Sequence, residues 1–259
     1  MALRSWLSKL VVPGSGGVPG RTTGPPTSSN GASSFHLSWE VPPTPLLEVG
    51  ATFEVLEPPV APELYFWALQ VSFMQGPARR GGAHFGLQYH PNYPNGGAVN
   101  WGGYQDVGGE IDGSVSALPS ALDNINTRTY AWQPGRQYRH RIYRSPDRGW
   151  RGSITDLETG VETVVRDLWI DADSMLSPMV WSEVFADCDH PSVAIRWSEL
   201  DATAVDGSTF RTNSVRLNYQ TFGDGGCANS NTSTDHLGFV QRTATERTNP
   251  TGARLTLNG

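Results

Sequence analysis

The amino-acid sequence predicts an all-β protein, an antiparallel β-sandwich of the jelly-roll kind. Three observations lead to this fold class. Apolar and polar residues alternate along most of the chain, turn-forming residues interrupt these runs about every 8–15 residues, and only two short segments are compatible with helices. The 259 residues include 29 glycines and 19 prolines, in keeping with many turns. The chain is also long enough to bury a full core without disulfides.

The predicted strands follow from this two-residue period. The third run of alternating residues is Glu63–Gln75. In this run Tyr65, Trp67 and Leu69 share one face, and Phe66 lies on the other. The predicted strands are 35–41, 49–55, 63–75, 85–89, 136–144, 150–157, 161–166, 179–187, 192–201, 209–222, 236–243 and 253–257. The turn sequence LETG predicts a hairpin across 150–165, and short helices are predicted at 116–124 and 166–175.

The first 33 residues differ in composition from the rest of the chain. Residues 13–34 read PGSGGVPGRTTGPPTSSNGASS, with almost nothing to bury, so we predict a disordered arm at 1–33 and one sandwich domain at 34–259. Polar residues interrupt the apolar stretches of 1–12, which therefore lack a clear signal-peptide pattern. The linker and the aromatic polar face described below favour an exported protein, but localisation stays open.

Charge and cysteine content limit the function classes. The net charge of −6 argues against a nucleic-acid partner, and no run of about 18 apolar residues predicts a membrane span. Cys188 and Cys227 would form one bridge in an exported protein, or two buried thiols in a cytosolic one. Asp187 and Asp189 flank Cys188 and would raise its pKa, so we expect a structural role for both cysteines.

Several strands place polar and aromatic residues opposite their apolar face. Such a surface suits a glycan, because sugar rings stack on aromatic rings and sugar hydroxyls bind amides and guanidiniums. A plain solvated sheet face and a protein-contact face are the alternatives. The predicted ligand-binding residues are Gln70, His84, Gln88, Arg141 and Trp181. The predicted catalytic candidates are His90, Glu183 and Arg196.

Four segments carry a resemblance to a known group. ELYFWALQVSF, FGLQYHPN, YAWQPGRQYRHRIYRS and VWSEVFADCDHPSVAIRWSEL resemble an uncharacterised bacterial and fungal β-sandwich family within the concanavalin-A-like lectin/glucanase superfamily. The similarity covers about Phe35 to Phe222. It implies a jelly roll and at most an association with glycans, and it carries no catalytic residues over to this chain.

Catalytic motifs for polysaccharide breakdown are incomplete. In GGEIDG, Val115 stands where the second glutamate of the jelly-roll glucanase pattern E-x-D-x-x-E belongs. Glu183 and Asp187 would lie about 13 Å apart along one strand, beyond the spacing of a glycosidase pair. Gln88 and His90 resemble the Q-x-H strand of alginate lyases, but the companion arginine and tyrosine motifs are not recognisable.

Cofactor signals are weak throughout. An oxygen-rich loop could hold Ca²⁺, although a solvated turn is the stronger interpretation. The loop residues concerned are Asp224, Asn229, Asn231 and Asp235. No phosphate-binding or dinucleotide-binding glycine motif is present, and we predict no metal or other cofactor.

The leading hypothesis is therefore a carbohydrate-recognising jelly roll that binds or degrades a polysaccharide, as a glycoside hydrolase or lyase if it is an enzyme. Two alternatives remain open. One is an intracellular enzyme of a biosynthetic pathway with a small-molecule ligand in a sandwich or barrel pocket, and the other is a structural appendage protein. Oligomeric state is not predicted.

Overall fold

The structure, a computed structural model, describes residues 20–147 and 149–257. The described residues form 17 strands and two short 3-10 turns, which confirms the all-β fold class. In chain order the strands are β1 (Ser33–Trp39), β2 (Leu46–Glu57), β3 (Tyr65–Gln75), β4 (Ala78–Tyr89), β5 (Gly97–Gln105), β6 (Ser120–Ala121), β7 (Asn124–Thr129), β8 (Gln137–Arg144), β9 (Trp150–Asp156), β10 (Glu162–Leu168), β11 (Ser174–Val184), β12 (Ala194–Ala204), β13 (Thr209–Thr212), β14 (Ser214–Tyr219), β15 (Asn231–Thr234), β16 (Phe239–Arg242) and β17 (Arg254–Thr256). The 3-10 turns are Pro94–Gly96 and Phe222–Asp224.

Antiparallel pairing arranges these strands in two layers. Sheet A has the order β17-β14-β1-β11-β3-β4-β5-β7-β6. Sheet B has the order β15-β16-β12-β2-β8-β9-β10, and β13 pairs with the second half of β12. A bridge between Met175 and Leu46 joins the layers. Because strands distant in sequence become neighbours, the sheet to which a strand belongs is a long-range property.

The core lies between the two sheets and is rich in aromatic side chains. Phe53 of sheet B packs against Trp67 of sheet A with ring centroids 5.5 Å apart. Phe73 and Trp150 make a second contact across the layers, at 5.2 Å. These four rings are fully buried. The apolar faces predicted from the two-residue period therefore supply this core.

Local predictions had mixed outcomes. The hairpin across residues 150–165 is confirmed as β9 paired with β10. The two predicted helices are wrong. Residues 116–124 contain β6 and a turn, while 166–168 continue β10 and β11 begins at Ser174. Strands β5 and β7 were not predicted, because their glycine, asparagine and threonine residues weaken the apolar period.

Part of the predicted arm packs on the domain. Residues 1–19 lie outside the described residues, but 20–32 lie against the sandwich. Gly24 accepts a hydrogen bond from the Cys188 N–H at 2.8 Å. The Gly24 N–H donates to Asp189 at 2.9 Å. Residues 20–32 are therefore ordered, contrary to the expectation for that stretch, because they find backbone partners on the domain.

Cys188 and Cys227 form a disulfide with Cα atoms 5.5 Å apart. This pairing confirms the predicted structural role for both. It fixes the loop after β11 to the loop after the second 3-10 turn. Within the described residues, no helix is long and apolar enough to cross a membrane.

Candidate functional site

The candidate site lies on the outer face of sheet A, the face that points away from sheet B. Core residues of β3, β4 and β11 alternate with residues on this face. Five predicted site residues share it, as the strand period requires. They are Gln70, His84, Gln88, Trp181 and Glu183.

Three of the face residues form one row across neighbouring strands. Glu183 on β11 pairs with Phe66 on β3, and Phe66 pairs with Gln88 on β4. Two strand spacings put the Cα atoms of Glu183 and Gln88 about 10 Å apart. Their side chains project from the same face, with the Phe66 side chain between them. We call this arrangement the Glu183–Gln88 row.

The Glu183 carboxyl is held by a neighbour from the arm. Asn30 Nδ2 donates to Glu183 Oε1 at 2.8 Å. Asn30 is itself fixed, because its Oδ1 accepts from the Ser28 hydroxyl at 2.9 Å. Burial raises the pKa of the Glu183 carboxyl above its usual range, and the Asn30 hydrogen bond opposes this only in part. Glu183 is therefore a stronger base than an ordinary glutamate.

The Gln88 amide is held from the other side. The Tyr93 hydroxyl donates to Gln88 Oε1 at 3.2 Å. This bond uses the amide oxygen and leaves the NH₂ group as a donor. Gln88 is only 5% exposed. Tyr93 packs with Ala98 and Ala121 in a small apolar cluster above this end of the row.

Aromatic rings surround Trp181 beside the row. Its ring centroid lies 4.9 Å from that of Phe66 and 5.9 Å from that of His84. The indole Nε1 donates to Gln70 Oε1 at 2.9 Å. Burial lowers the pKa of His84 to about 4, so its ring is neutral near pH 7. Because Trp181 is only 6% exposed, it forms a packed wall and not an open stacking platform.

Next to Trp181, a glycine of β4 leaves the backbone without a side chain. A Cβ on Gly86 would come within 1.8 Å of the Trp67 carbonyl oxygen, so β4 approaches β3 closely there. Asn100 on β5 follows Gly86 across the sheet. Its Nδ2 donates to the Thr127 hydroxyl at 2.8 Å, while its buried Oδ1 has no partner among the described residues.

Two predicted site residues belong to the other sheet. Arg141 on β8 and Arg196 on β12 lie in sheet B, so they cannot share a surface with the Glu183–Gln88 row. Arg196 binds Glu54 and Asp235, each at 2.6 Å, and its charge is neutralised there. The prediction of one surface was wrong for both arginines, because residue period fixes the face of a strand and not its sheet.

Arg141 is likewise occupied by acidic partners. It binds Glu48 at 2.7 Å and approaches Glu162 at 3.6 Å. His90 follows β4 in the turn beyond the row. Its Nδ1 accepts from the Asn92 N–H at 3.1 Å, which gives the ring a local role in that turn.

The four residues of the oxygen-rich loop bind separate partners. Each binds a different neighbour: Asp224 binds Thr221, Asn229 binds Cys188 O, Asn231 binds Thr248 and Asp235 binds Arg196. Across residues 20–147 and 149–257, no group of three or more His, Cys, Asp or Glu side chains could hold a metal ion.

Sequence reasoning missed the residues that complete the site. Asn30 fell in the stretch expected to be disordered, and Asn100 lies on a strand that was not predicted. Tyr93 lies in a loop whose path over the sheet no local pattern indicates. Phe66 was placed on the correct face but without a role. Only Phe66 had a usable signal, its opposite parity to Tyr65.

An open depression of about 540 Å³ lies at a different place, lined by Asp147, Trp169, Ile170 and Asp171. None of the predicted site residues lines it. We place the candidate site at the row instead, because the row combines a carboxyl of altered basicity with an amide donor.

Comparison with known proteins gives distant structural likenesses only. No family model matches the chain, and no curated protein matches it. Scytalido-glutamic peptidase, solved with a peptide-based transition state analogue, is similar with a TM-score of 0.44 at 10% identity, over 82% of this chain and 98% of that chain. SCP-B, a member of the Eqolisin family of peptidases solved with the tripeptide Ala-Ile-His, has a TM-score of 0.42 at 10% identity, over the same shares. Likeness at this level carries no assignment of function.

Proposed function

We propose that the Glu183–Gln88 row is a hydrolytic site for an acyl bond, an amide or an ester. One observation carries the proposal: a carboxyl made more basic by burial faces an amide donor across a single residue of the intervening strand. Perturbed carboxyl groups with a defined partner are characteristic of catalytic sites.

The number of carboxylates favours an acyl bond over a glycosidic bond. Glycosidases use two carboxyl groups about 5–9.5 Å apart. Glu183 is the only acidic residue on β1, β11, β3, β4 and β5, the five adjacent strands around the row. Acyl transfer needs one acid–base group and a donor for the developing oxyanion, and the row supplies both.

The residues divide the chemistry as follows. The Glu183 carboxylate takes a proton from a water molecule, whose oxygen attacks the acyl carbon. The Gln88 NH₂ group donates to the carbonyl oxygen as negative charge develops on it. Glu183 then gives the proton to the departing nitrogen or oxygen as its bond to carbon breaks. Asn30 and Tyr93 position the two groups through their hydrogen bonds.

A substrate screen tests this proposal. The purified chain is assayed between pH 3 and pH 8 with a quenched fluorescent peptide library and with p-nitrophenyl esters. We expect Glu183→Gln to lose roughly 10²–10⁴-fold in rate. Gln88→Met should lose about 10²–10³-fold, the usual effect of removing an oxyanion donor.

Glu246→Gln is the matched control, since Glu246 is exposed and lies off the row. It should keep the wild-type rate. Equal activity in wild type and Glu183→Gln, or no hydrolysis of any acyl substrate by the folded wild type, would refute the proposal.

Glycan recognition on the same face is the second candidate. The two amide side chains on this face, Gln70 and Gln88, favour it, because amides can both donate to and accept from sugar hydroxyls. Glycan-array binding of wild type, Trp181→Phe and Glu183→Gln, measured beside the hydrolysis rate, separates the candidates. A glycan binder retains glycan binding in Glu183→Gln, whereas a hydrolase loses its hydrolysis rate in that variant.

Membership of the concanavalin-A-like superfamily stays a prediction. The Cys188–Cys227 disulfide supports export to an oxidising compartment.

A further inference from the structure

Two buried arginines lie near each other where the edges of the two sheets meet, since Arg166 binds Asn126, two residues before Arg128 on the same strand. Arg128 on β7 pairs with Val99 near the edge of sheet A and is 6% exposed. Arg166 on β10, the edge strand of sheet B, is 3% exposed. They are the two buried arginines among the described residues. Full burial of arginine is rare unless its charge is paired.

Neither guanidinium has a carboxylate within 4.0 Å in the described part of the chain. Arg166 donates to the Trp101 carbonyl at 3.3 Å and to Asn126 Oδ1 at 2.6 Å, both uncharged acceptors. Arg128 Nε is buried and has no hydrogen-bond partner among the described residues. Asn126 in turn donates to Glu110 at 3.3 Å, so the hydrogen-bond link from Arg166 to Glu110 runs through an amide.

The pair contrasts with the arginines that bind carboxylates elsewhere in the fold. Arg151 beside it on β9 makes a two-pronged contact with Asp167 at 2.8 and 2.9 Å. Burial and the positive charge of Arg128 lower the pKa of Arg166, and the negative charges of Glu110 and Asp112 oppose this only in part. Two like charges in a poorly solvated position are destabilising unless a negative charge joins them.

We propose that Arg128 and Arg166 form a binding site for a small oxyanion between the sheet edges. A phosphate, sulfate or carboxylate group matches the forked donors of two guanidiniums. The chain backbone allows close approach there, because Gly113 lies against Arg166, with a Cβ at that position coming within 3.1 Å of Cζ. This site does not depend on the proposed hydrolysis.

Anion-dependent stability tests the site. Thermal unfolding of the full chain is followed in sodium phosphate and in sodium succinate, each against sodium chloride of equal ionic strength. Binding to the folded state raises the midpoint. We expect a rise of about 3 °C or more with one or both anions, which corresponds to roughly 1 kcal/mol for a chain of this size. Stabilisation by phosphate alone indicates a site for an inorganic oxyanion, and stabilisation by succinate alone indicates a site for a carboxylate.

The variants identify the residues responsible. Arg128→Gln and Arg166→Gln should each weaken the anion at least tenfold in calorimetric titration. Arg80→Gln, at an exposed arginine, should bind as wild type does. If a glutamine variant does not fold, Arg128→Lys replaces it. This variant should also bind the anion more weakly in the titration, because lysine lacks the forked donors of arginine. Titration of wild type alone also decides the matter: neither phosphate nor succinate binding, or equal stabilisation of wild type and Arg128→Gln, would overturn the site. Glu183→Gln should bind the anion normally, which separates this result from the hydrolysis test.

Discussion

His140 should make the stability of this protein depend on pH. Its ring is fully buried on the core face of β8, with the centroids of Phe53, Phe85 and Trp197 at 5.7, 5.4 and 5.8 Å. Nδ1 lies 3.3 Å from the Tyr138 carbonyl oxygen, and Nε2 has no partner among the described residues. Burial lowers the pKa of His140 from 6.5 to about 3.

The magnitude follows from linkage between protonation and folding. The folded state holds this ring neutral, so stability is greatest above pH 6.5 and falls as the unfolded chain gains a proton that the folded chain does not. A pKa difference of 6.5 − 3 corresponds to about 5 kcal/mol in full. At pH 3, where the folded ring is half protonated, about 4 kcal/mol of that is lost relative to pH 7.

Urea denaturation of wild type and His140→Leu at pH 7, 5 and 3 measures this effect. The substitution changes stability at every pH, but it should remove about 4 kcal/mol of the loss between pH 7 and pH 3. Burial lowers the pKa of both His36 and His84 to about 4, and their contributions cancel in the comparison because both proteins contain them. His236→Leu, at an exposed position, is the control. Parallel pH profiles for wild type and His140→Leu would refute the reasoning.

Three further substitutions test the packing and pairing described above. Cys188→Ser with Cys227→Ser opens a loop of 39 residues, so urea denaturation should show a loss of about 4 kcal/mol, and a reductant should lower only the wild-type midpoint. Gly86→Ala should cost about 1–3 kcal/mol through overpacking against Trp67 O, whereas Gly223→Ala, with its nearest atom 3.7 Å away, should cost little; equal costs would contradict the close approach of β4 to β3. Arg196→Met should cost about 3 kcal/mol because it leaves two partly buried carboxylates unpaired, against less than about 1 kcal/mol for Arg211→Met at an exposed pair; no difference in denaturation midpoint would show that solvent already screens Glu54 and Asp235.

The two-residue alternation of the sequence predicted on which face of a strand a residue lies, but not which strands pair with each other. Gln70, His84 and Gln88 project from one face because successive residues of a strand alternate, and a sequence contains that information. Arg196 has the same alternation but lies in the other sheet. Its strand pairs with residues more than 130 positions away, such as Glu54, and no local pattern encodes that choice.

The arm shows a second limit of sequence reasoning. Residues 20–32 have a composition typical of disorder, yet backbone hydrogen bonds to the loops around the disulfide order them. Asn30 could not be assigned to the site for this reason, since its position depends on the fold that it contacts. Glu183 itself was predicted, because it was a carboxylate beside Trp181 on a strand with a polar face.

Short terminal strands have a consequence for behaviour at high concentration. Sheet A ends in β6, with two residues, and in β17, with three, while β15 at one edge of sheet B has four. The other edge, β10, has an irregular register between Val164 and Arg166. An edge that offers few evenly spaced backbone groups is a poor template for strands of another molecule. The molecule should therefore resist edge-to-edge fibril growth, and its colloidal stability should depend on its net negative charge more than on its sheets.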